Sequence, residues 1–195
     1  MSLHSIYLEE AHKTLSTIDP EQISRIADIL WQARNEERTV FIFGNGGSAA
    51  LAVHFAGDVS ECTGKAAPNV VKRLRVQCLA ENLTTMLAIA NDLSYEEIFV
   101  EQLKTYFRPG DVVIGVSGSG NSENVIRALQ YARSRSGITI GFAGYSGGRL
   151  KEVAGECVHI PIHDMQHVED AHTHVTHMIM KDIQGRMEGE SKLVQ

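Results

Sequence analysis

Hydrophobic and polar positions divide the chain into alternating helical and extended stretches. Residues about 4–17 carry helical periodicity. A second helix opens at Asp19-Pro20-Glu21-Gln22, with Asp19 as N-cap, Pro20 in the first turn and Gln22 where a capping box places Glu or Gln. Ile23, Ile26, Ile29, Leu30 and Ala33 form its apolar stripe. Thr39–Phe43 is a β-branched and aromatic run ended by Gly44-Asn45-Gly46-Gly47-Ser48, which reads as a buried strand entering a glycine turn. A helix over about 48–61 follows, then an alternating strand at Arg73–Leu79. Helices over about 83–91 and 95–106 are parted by Asn91-Asp92-Leu93-Ser94. Beyond the Pro109-Gly110 turn, Asp111–Val116 is a third strand, followed by Ser117-Gly118-Ser119-Gly120-Asn121-Ser122 and a helix to about Arg135. Ile138–Phe142 is a fourth strand and Cys157–Ile162 a fifth, with Gly144-Tyr145-Ser146-Gly147-Gly148 between them. A last helix covers about 166–187.

Strands alternating with helices imply βαβ units and a parallel sheet. The unbroken apolar strands suit a sheet covered on both faces. Ligands of such sheets sit beyond the carboxyl ends of the strands, and three Gly/Ser-rich turns fall there. A length of 195 residues suits one domain, and 43% apolar with 22% charged residues is a globular composition. With 18 Lys+Arg against 24 Asp+Glu the net charge is −6, which argues against a general nucleic-acid backbone binder. No apolar run approaches the roughly 20 residues of a membrane span, and the N-terminus lacks an apolar leader segment. Cys62, Cys78 and Cys157 are isolated and form no CxxC pair, so reduced thiols in a cytoplasmic protein are expected.

Ser117–Ser122 carries the first chemical signal. Glycines let the backbone approach an anion, N–H groups at a helix start point at it, and the helix dipole favours negative charge. Three hydroxyls add donors without fixed charge. A Walker A lysine is missing and the spacing is not GxGxxG, so nucleoside triphosphates and dinucleotides are not expected. A phosphate monoester fits; the plainer alternative is a solvated loop with Ser122 as an ordinary N-cap.

Gly44-Asn45-Gly46-Gly47-Ser48, His54-Phe55-Ala56, Asn91-Asp92, Ser117–Ser122, Gly144–Gly148 and the late helix with Glu169 and His177 occur in an order and spacing that resemble the sugar isomerase (SIS) domain superfamily, and within it the bacterial phosphoheptose isomerases. The resemblance implies a three-layer αβα sandwich with a five-stranded, flavodoxin-like parallel sheet, and a homotetramer with active sites at subunit interfaces. It implies conversion of D-sedoheptulose 7-phosphate to D-glycero-D-manno-heptose 7-phosphate, which feeds lipopolysaccharide or other surface glycans. By motif match, Ser117, Ser119 and Ser122 hold the phosphate, in a loop whose Gly118 is also a substrate-binding candidate. Asn45, Ser48 and Asp92 hold sugar hydroxyls, within motifs that also contain Gly46, Gly47 and Asn91.

Moving a carbonyl between neighbouring carbons needs a base and a group that manages the oxygen protons, and a divalent metal can polarise both oxygens. His54 and Asp58 are i, i+4 on the predicted helix and share a face. Alone, such a pair is equally a surface hydrogen-bonded pair. In the family pattern position 58 is Glu, the base; Asp is shorter by about 1.5 Å. The family also has Gln eight residues before the catalytic His177, where this chain has Glu169. Asp58, Glu169 and His177 are therefore the catalytic candidates, with Asp58 and Glu169 able to share the base role. His54, Asp58, Glu169 and His177 form a ligand set suited to a divalent metal, zinc first.

The late helix region also carries His163, His167, His172 and His174, of which His174 could form a rival metal pair with His177, and His172 matches a His in the relatives. On a straight helix Glu169 and His177 are about 12 Å apart along the axis and about 80° apart around it. Either the helix starts late or kinks, or the two serve sites shared between subunits. The tetramer favours sharing, so His54 and His177 are expected from different chains. Competing readings are a non-catalytic SIS protein that binds a sugar phosphate or a replication-initiator type of partner, and an isomerase of another ketose phosphate.

Overall fold

The computed structural model describes residues 2–68 and 72–193. The apolar runs pair side by side, all in one direction: β1 (Thr39–Gly44), β2 (Arg75–Cys78), β3 (Val112–Ser117), β4 (Ile138–Ala143) and β5 (Glu156–His159). Their order is β2-β1-β3-β4-β5. Val40 lies opposite Val76 on one side and Val112 on the other, and Val112 lies opposite Ile138. The strand order reverses between β1 and β3. The loops leaving those two strands diverge there and open a crevice.

The helices are α1 (Leu3–Leu15), α2 (Pro20–Asn35), α3 (Gly47–Ala66), α4 (Leu83–Asp92), α5 (Val100–Tyr106), α6 (Glu123–Ser134), α7 (Gly148–Val153) and α8 (Met165–Leu193), with a 3₁₀ turn at Tyr95–Glu97. Strand residues alternate between two cores, as the pleat requires. Val40, Ile42, Ile114 and Val116 pack with α2, α3 and α8; Phe41, Phe43 and Val113 pack with α5, α6 and α7. The expected αβα sandwich is therefore observed. Each fully buried Leu or Phe side chain contributes about 1.5–3 kcal/mol.

Several local expectations change. Asp19 caps α2 by accepting the Glu21 N–H at 2.9 Å. Gln22 does not complete a capping box; its amide donates to the Cys157 carbonyl at 2.8 Å and ties α2 to β5. α3 runs to Ala66, five residues past the expected end. α7 follows Gly147 directly and was not expected, because six residues are too few to show a period. β5 occupies Glu156–His159 rather than Cys157–Ile162, because its partner β4 ends at Ala143. α1 lies on α8, where the Tyr7 hydroxyl donates to Asp170 at 2.6 Å and the Tyr7 ring packs on His167.

Candidate functional site

The chain leaves β3 at Ser117 and turns at Gly120, whose N–H donates to the Ser117 carbonyl at 2.9 Å. Gly120 has φ +70°, and a Cβ there would collide with the Gly147 carbonyl oxygen, so this corner requires glycine. Ser122 stands at the N-cap of α6 without capping it. Its hydroxyl instead lies 3.0 Å from that of Ser117, with Ser119 Oγ 3.5 Å from Ser117 Oγ. The ordinary N-cap alternative is thus not what forms. Three hydroxyls gather at a helix start, an arrangement that receives an anion. The third glycine turn does not line this space; it braces it. Gly144 N–H donates to Gly118 O at 2.8 Å, Leu150 N–H to Gly120 O at 2.9 Å and Arg149 N–H to Asn121 Oδ1 at 3.2 Å.

A cavity of about 260 Å³ covers this loop and reaches Asn45, Gly46, Gly47 and Ser48 at the end of β1. A second, of about 290 Å³, runs past His54 and His172. The two share Gly47, Ser48, Val116 and Glu169, and so form one trough with Glu169 at its waist. Gly47 opens α3, and a Cβ at this glycine would collide with the carboxylate of Glu169. The missing side chain makes room for that carboxylate at the start of a 20-residue helix, where negative charge is favoured.

Further along, ligand atoms of His54, Asp58 and His177 all lie within 4.8 Å of one another. Asp58 Oδ2 is 3.3 Å from His54 Nε2 and 3.7 Å from His177 Nε2, and the two rings meet edge to face. All three come from one chain, which corrects the expectation that His54 and His177 come from different subunits. α8 is one continuous helix from Met165, so it does not start late to bring Glu169 to His177. Instead α3 and α8 run parallel. Glu169 meets Gly47 at one level and His177 meets Asp58 at another. Glu169 and His177 are about 12 Å apart along the helix axis, so they reach different levels of α3. Glu169 is accordingly not part of the three-residue group.

The other histidines go elsewhere. His174 Nδ1 lies 2.8 Å from the Asp170 carbonyl on the exposed face. His163 packs edge-on to Tyr145, and His167 is buried 3.4 Å from Glu10. His172 is buried with Nε2 3.4 Å from the Ala143 carbonyl, and burial pushes its pKa down to about 4. It therefore stays neutral at the trough wall.

Asn91 and Asp92 end α4 on the surface, bonded to each other at 2.8 Å and outside both cavities. Asp92, expected to hold a sugar hydroxyl, lines neither of these cavities. Two residues that sequence reasoning passed over do belong here. Tyr95 donates its hydroxyl to Asn45 Oδ1 at 2.8 Å, and the buried Asn124 pairs with Asn45 through two amide hydrogen bonds. Asn124 had a signal: it is a polar residue next to the core-facing Val125 and Ile126, one turn before Ala128.

No helix among the described residues is long and apolar enough to cross a membrane. A family model described as the SIS domain matches residues 6–144. A probable phosphoheptose isomerase of Thermoplasma acidophilum is 40% identical over 173 residues, covering 89% of this chain and 93% of its own length. A phosphoheptose isomerase of Aquifex aeolicus is 36% identical over 180 residues, covering 89% and 90%. The solved phosphoheptose isomerase of Neisseria gonorrhoeae superimposes with a TM-score of 0.83 at 28% identity, covering 93% of this chain and 95% of that one. Fold, motif order and relatives agree, and the chain belongs to the SIS domain family, among the phosphoheptose isomerases.

Proposed function

We propose that this protein is a phosphoheptose isomerase, an aldose–ketose isomerase converting D-sedoheptulose 7-phosphate to D-glycero-D-manno-heptose 7-phosphate in a single SIS domain over residues 1–195. The observation that carries this reading is the continuous trough, with gathered hydroxyls at one end and an imidazole–carboxylate group near the other. Ser117, Ser119 and Ser122 take the phosphate, together with the N-terminus of α6. The carbon chain then passes Ser48 and Glu169 toward His54.

The ketose loses a proton from C1 and gains one on O2; the enediol then loses the O1 proton and gains one on C2. Asp58 removes the C1 proton and returns one to C2. His177 delivers a proton to O2 and accepts one from O1. Glu169, at the waist, holds the chain hydroxyls and shares the proton traffic.

Two imidazoles and a carboxylate suit a zinc ion, three protein ligands with one position open. His54, Asp58 and His177 would hold it, and Glu169 would then be the carboxylate free to act as base. Such an ion supplies Lewis-acid polarisation of neighbouring carbonyl and hydroxyl oxygens. Leu3 and Leu8 on α1, and Leu83 and Leu87 on α4, stand exposed, which supports a homotetramer in which neighbouring chains cover them. The free Cys62, Cys78 and Cys157 fit a cytoplasmic setting.

The test is turnover of sedoheptulose 7-phosphate, with and without EDTA, beside fructose 6-phosphate. The heptulose is expected to turn over and chelation to abolish it. Preference for the hexulose overturns the substrate assignment. Binding without turnover of either sugar overturns the enzyme and supports a non-catalytic sugar-phosphate binder.

A further inference from the structure

An asparagine amide presents an acceptor at one end and donors at the other, and its hydrogen-bond partners decide which end points where. At the mouth of the serine half, one backbone group decides it for two asparagines in succession. The Val125 N–H can only donate. It is shared between the Ser122 carbonyl at 3.0 Å and Asn124 Oδ1 at 2.9 Å, which fixes the oxygen end of Asn124. The nitrogen end of Asn124 then donates to Asn45 Oδ1 at 2.9 Å, while Asn45 Nδ2 donates back to Asn124 Oδ1 at 3.0 Å. Asn45 is now fixed as well. Tyr95 adds a second donor to the same Asn45 oxygen at 2.8 Å.

Both lone pairs of Asn45 Oδ1 are occupied, and one of its two amide hydrogens is engaged. What remains is a single N–H on a residue that lines the cavity with Ser117, Ser119 and Ser122. We infer that Asn124 and Tyr95 are positioning residues that make Asn45 a donor-only contact for a phosphate oxygen in the serine half, an inference that rests on the sugar-phosphate reading above. Asn124 is 2% exposed and acts through Asn45. Asn45 cannot accept a hydrogen bond from a sugar hydroxyl while this network stands. Its N–H joins the hydroxyls and the α6 N-terminus as one more donor for an anion that carries only acceptors.

The test uses heptitol 7-phosphate, the reduced substrate, which has no carbonyl and binds without turnover. Asn124→Asp keeps both acceptor bonds and loses the donor, so two oxygens face each other and Asn45 is held less firmly. Protonation of the introduced carboxylate restores that donor. Affinity by calorimetry is expected to be about tenfold weaker than wild type at pH 8, with the gap closing toward pH 5. Taking the ratio to wild type at each pH removes the titration of the ligand phosphate. Tyr95→Phe is expected to weaken binding about threefold at every pH. A ratio for Asn124→Asp that does not change with pH assigns Asn124 a packing role only and overturns the inference. If melting shows that this variant does not fold, Tyr95→Phe decides, and wild-type affinity overturns it. Failure of the wild type itself to bind heptitol 7-phosphate is a different result, which removes the sugar-phosphate reading.

Discussion

The two halves of the trough are built from different material. The serine half is mostly backbone. Its turn, hydroxyls and helix start are bonded to one another and braced from behind by Gly144 and Leu150. The histidine half meets the cavity through His54, which is grouped with Asp58 and His177 on two helices, the three side chains being 53%, 28% and 45% exposed. Their geometry depends on the register of α3 against α8, set by Ala52, Phe55, Val59, Val175 and Ile179 in the shared core. A receptor for a fixed group such as phosphate can be complete before the ligand arrives. Groups that move protons must stay accessible, and here a buried helix pair holds accessible side chains in place.

If the halves are separate, chemistry and binding separate too. Asp58→Asn preserves shape and removes the carboxylate, whether it serves as base or as metal ligand. It is expected to lower kcat by about 10²–10⁴-fold, the range of a general base, while the affinity for heptitol 7-phosphate stays within about twofold. The check is steady-state kinetics beside calorimetry. A loss of affinity as large as the loss of kcat would show one site rather than two halves.

The same contrast explains what could be read in the sequence. The serine half is one contiguous motif between a strand and a helix, so Ser117–Ser122 was legible, as were β1 and β3 from their apolar runs. The histidine half spans 54 to 177, and no local pattern fixes how α3 lies against α8. The residues suggested two subunits; the parallel helix pair brings them together in one. Glu169 looked like a fourth ligand by motif count, yet Gly47 offers its carboxylate a seat at another level of the same helix pair. Asn124 and Tyr95 were passed over because their importance lies in a hydrogen bond across the fold to Asn45.

The next largest effect concerns stability beside the histidine half. Burial holds His172 at about 4, against an ordinary value of 6.5. Between those values the unfolded chain binds more protons than the folded one at this site, so stability rises with pH. His172 contributes its full share above about pH 6.5 and loses it as pH falls toward 4. The difference corresponds to about 3 kcal/mol. Denaturant unfolding at pH 7 and pH 4.5 should show it as a steeper acid loss in wild type than in His172→Gln. Equal slopes would mean that His172 is not held neutral.

The serine half is expected to fail through its backbone. Gly120→Ala places a Cβ at φ +70° against the Gly147 carbonyl, and strain of this kind costs about 2 kcal/mol. Urea unfolding should register the loss, and phosphate binding should weaken because both the turn and its brace shift. An unchanged midpoint would mean that the brace is slack and the half is not preformed.

Ser119→Ala is the smallest change and divides structure from binding most cleanly. Ser119 is exposed, and its hydroxyl accepts only the Asn121 N–H at 3.2 Å and approaches Ser117 Oγ at 3.5 Å. Removing it should change stability by less than about 0.5 kcal/mol. A hydrogen bond to a charged phosphate contributes about 1–2 kcal/mol, so affinity for heptitol 7-phosphate should fall about 5–30-fold. Calorimetry and a melting curve on the same sample check both numbers. Wild-type affinity would remove Ser119 from the receptor, and a lowered melting temperature would show that the loop depends on this hydroxyl for its shape.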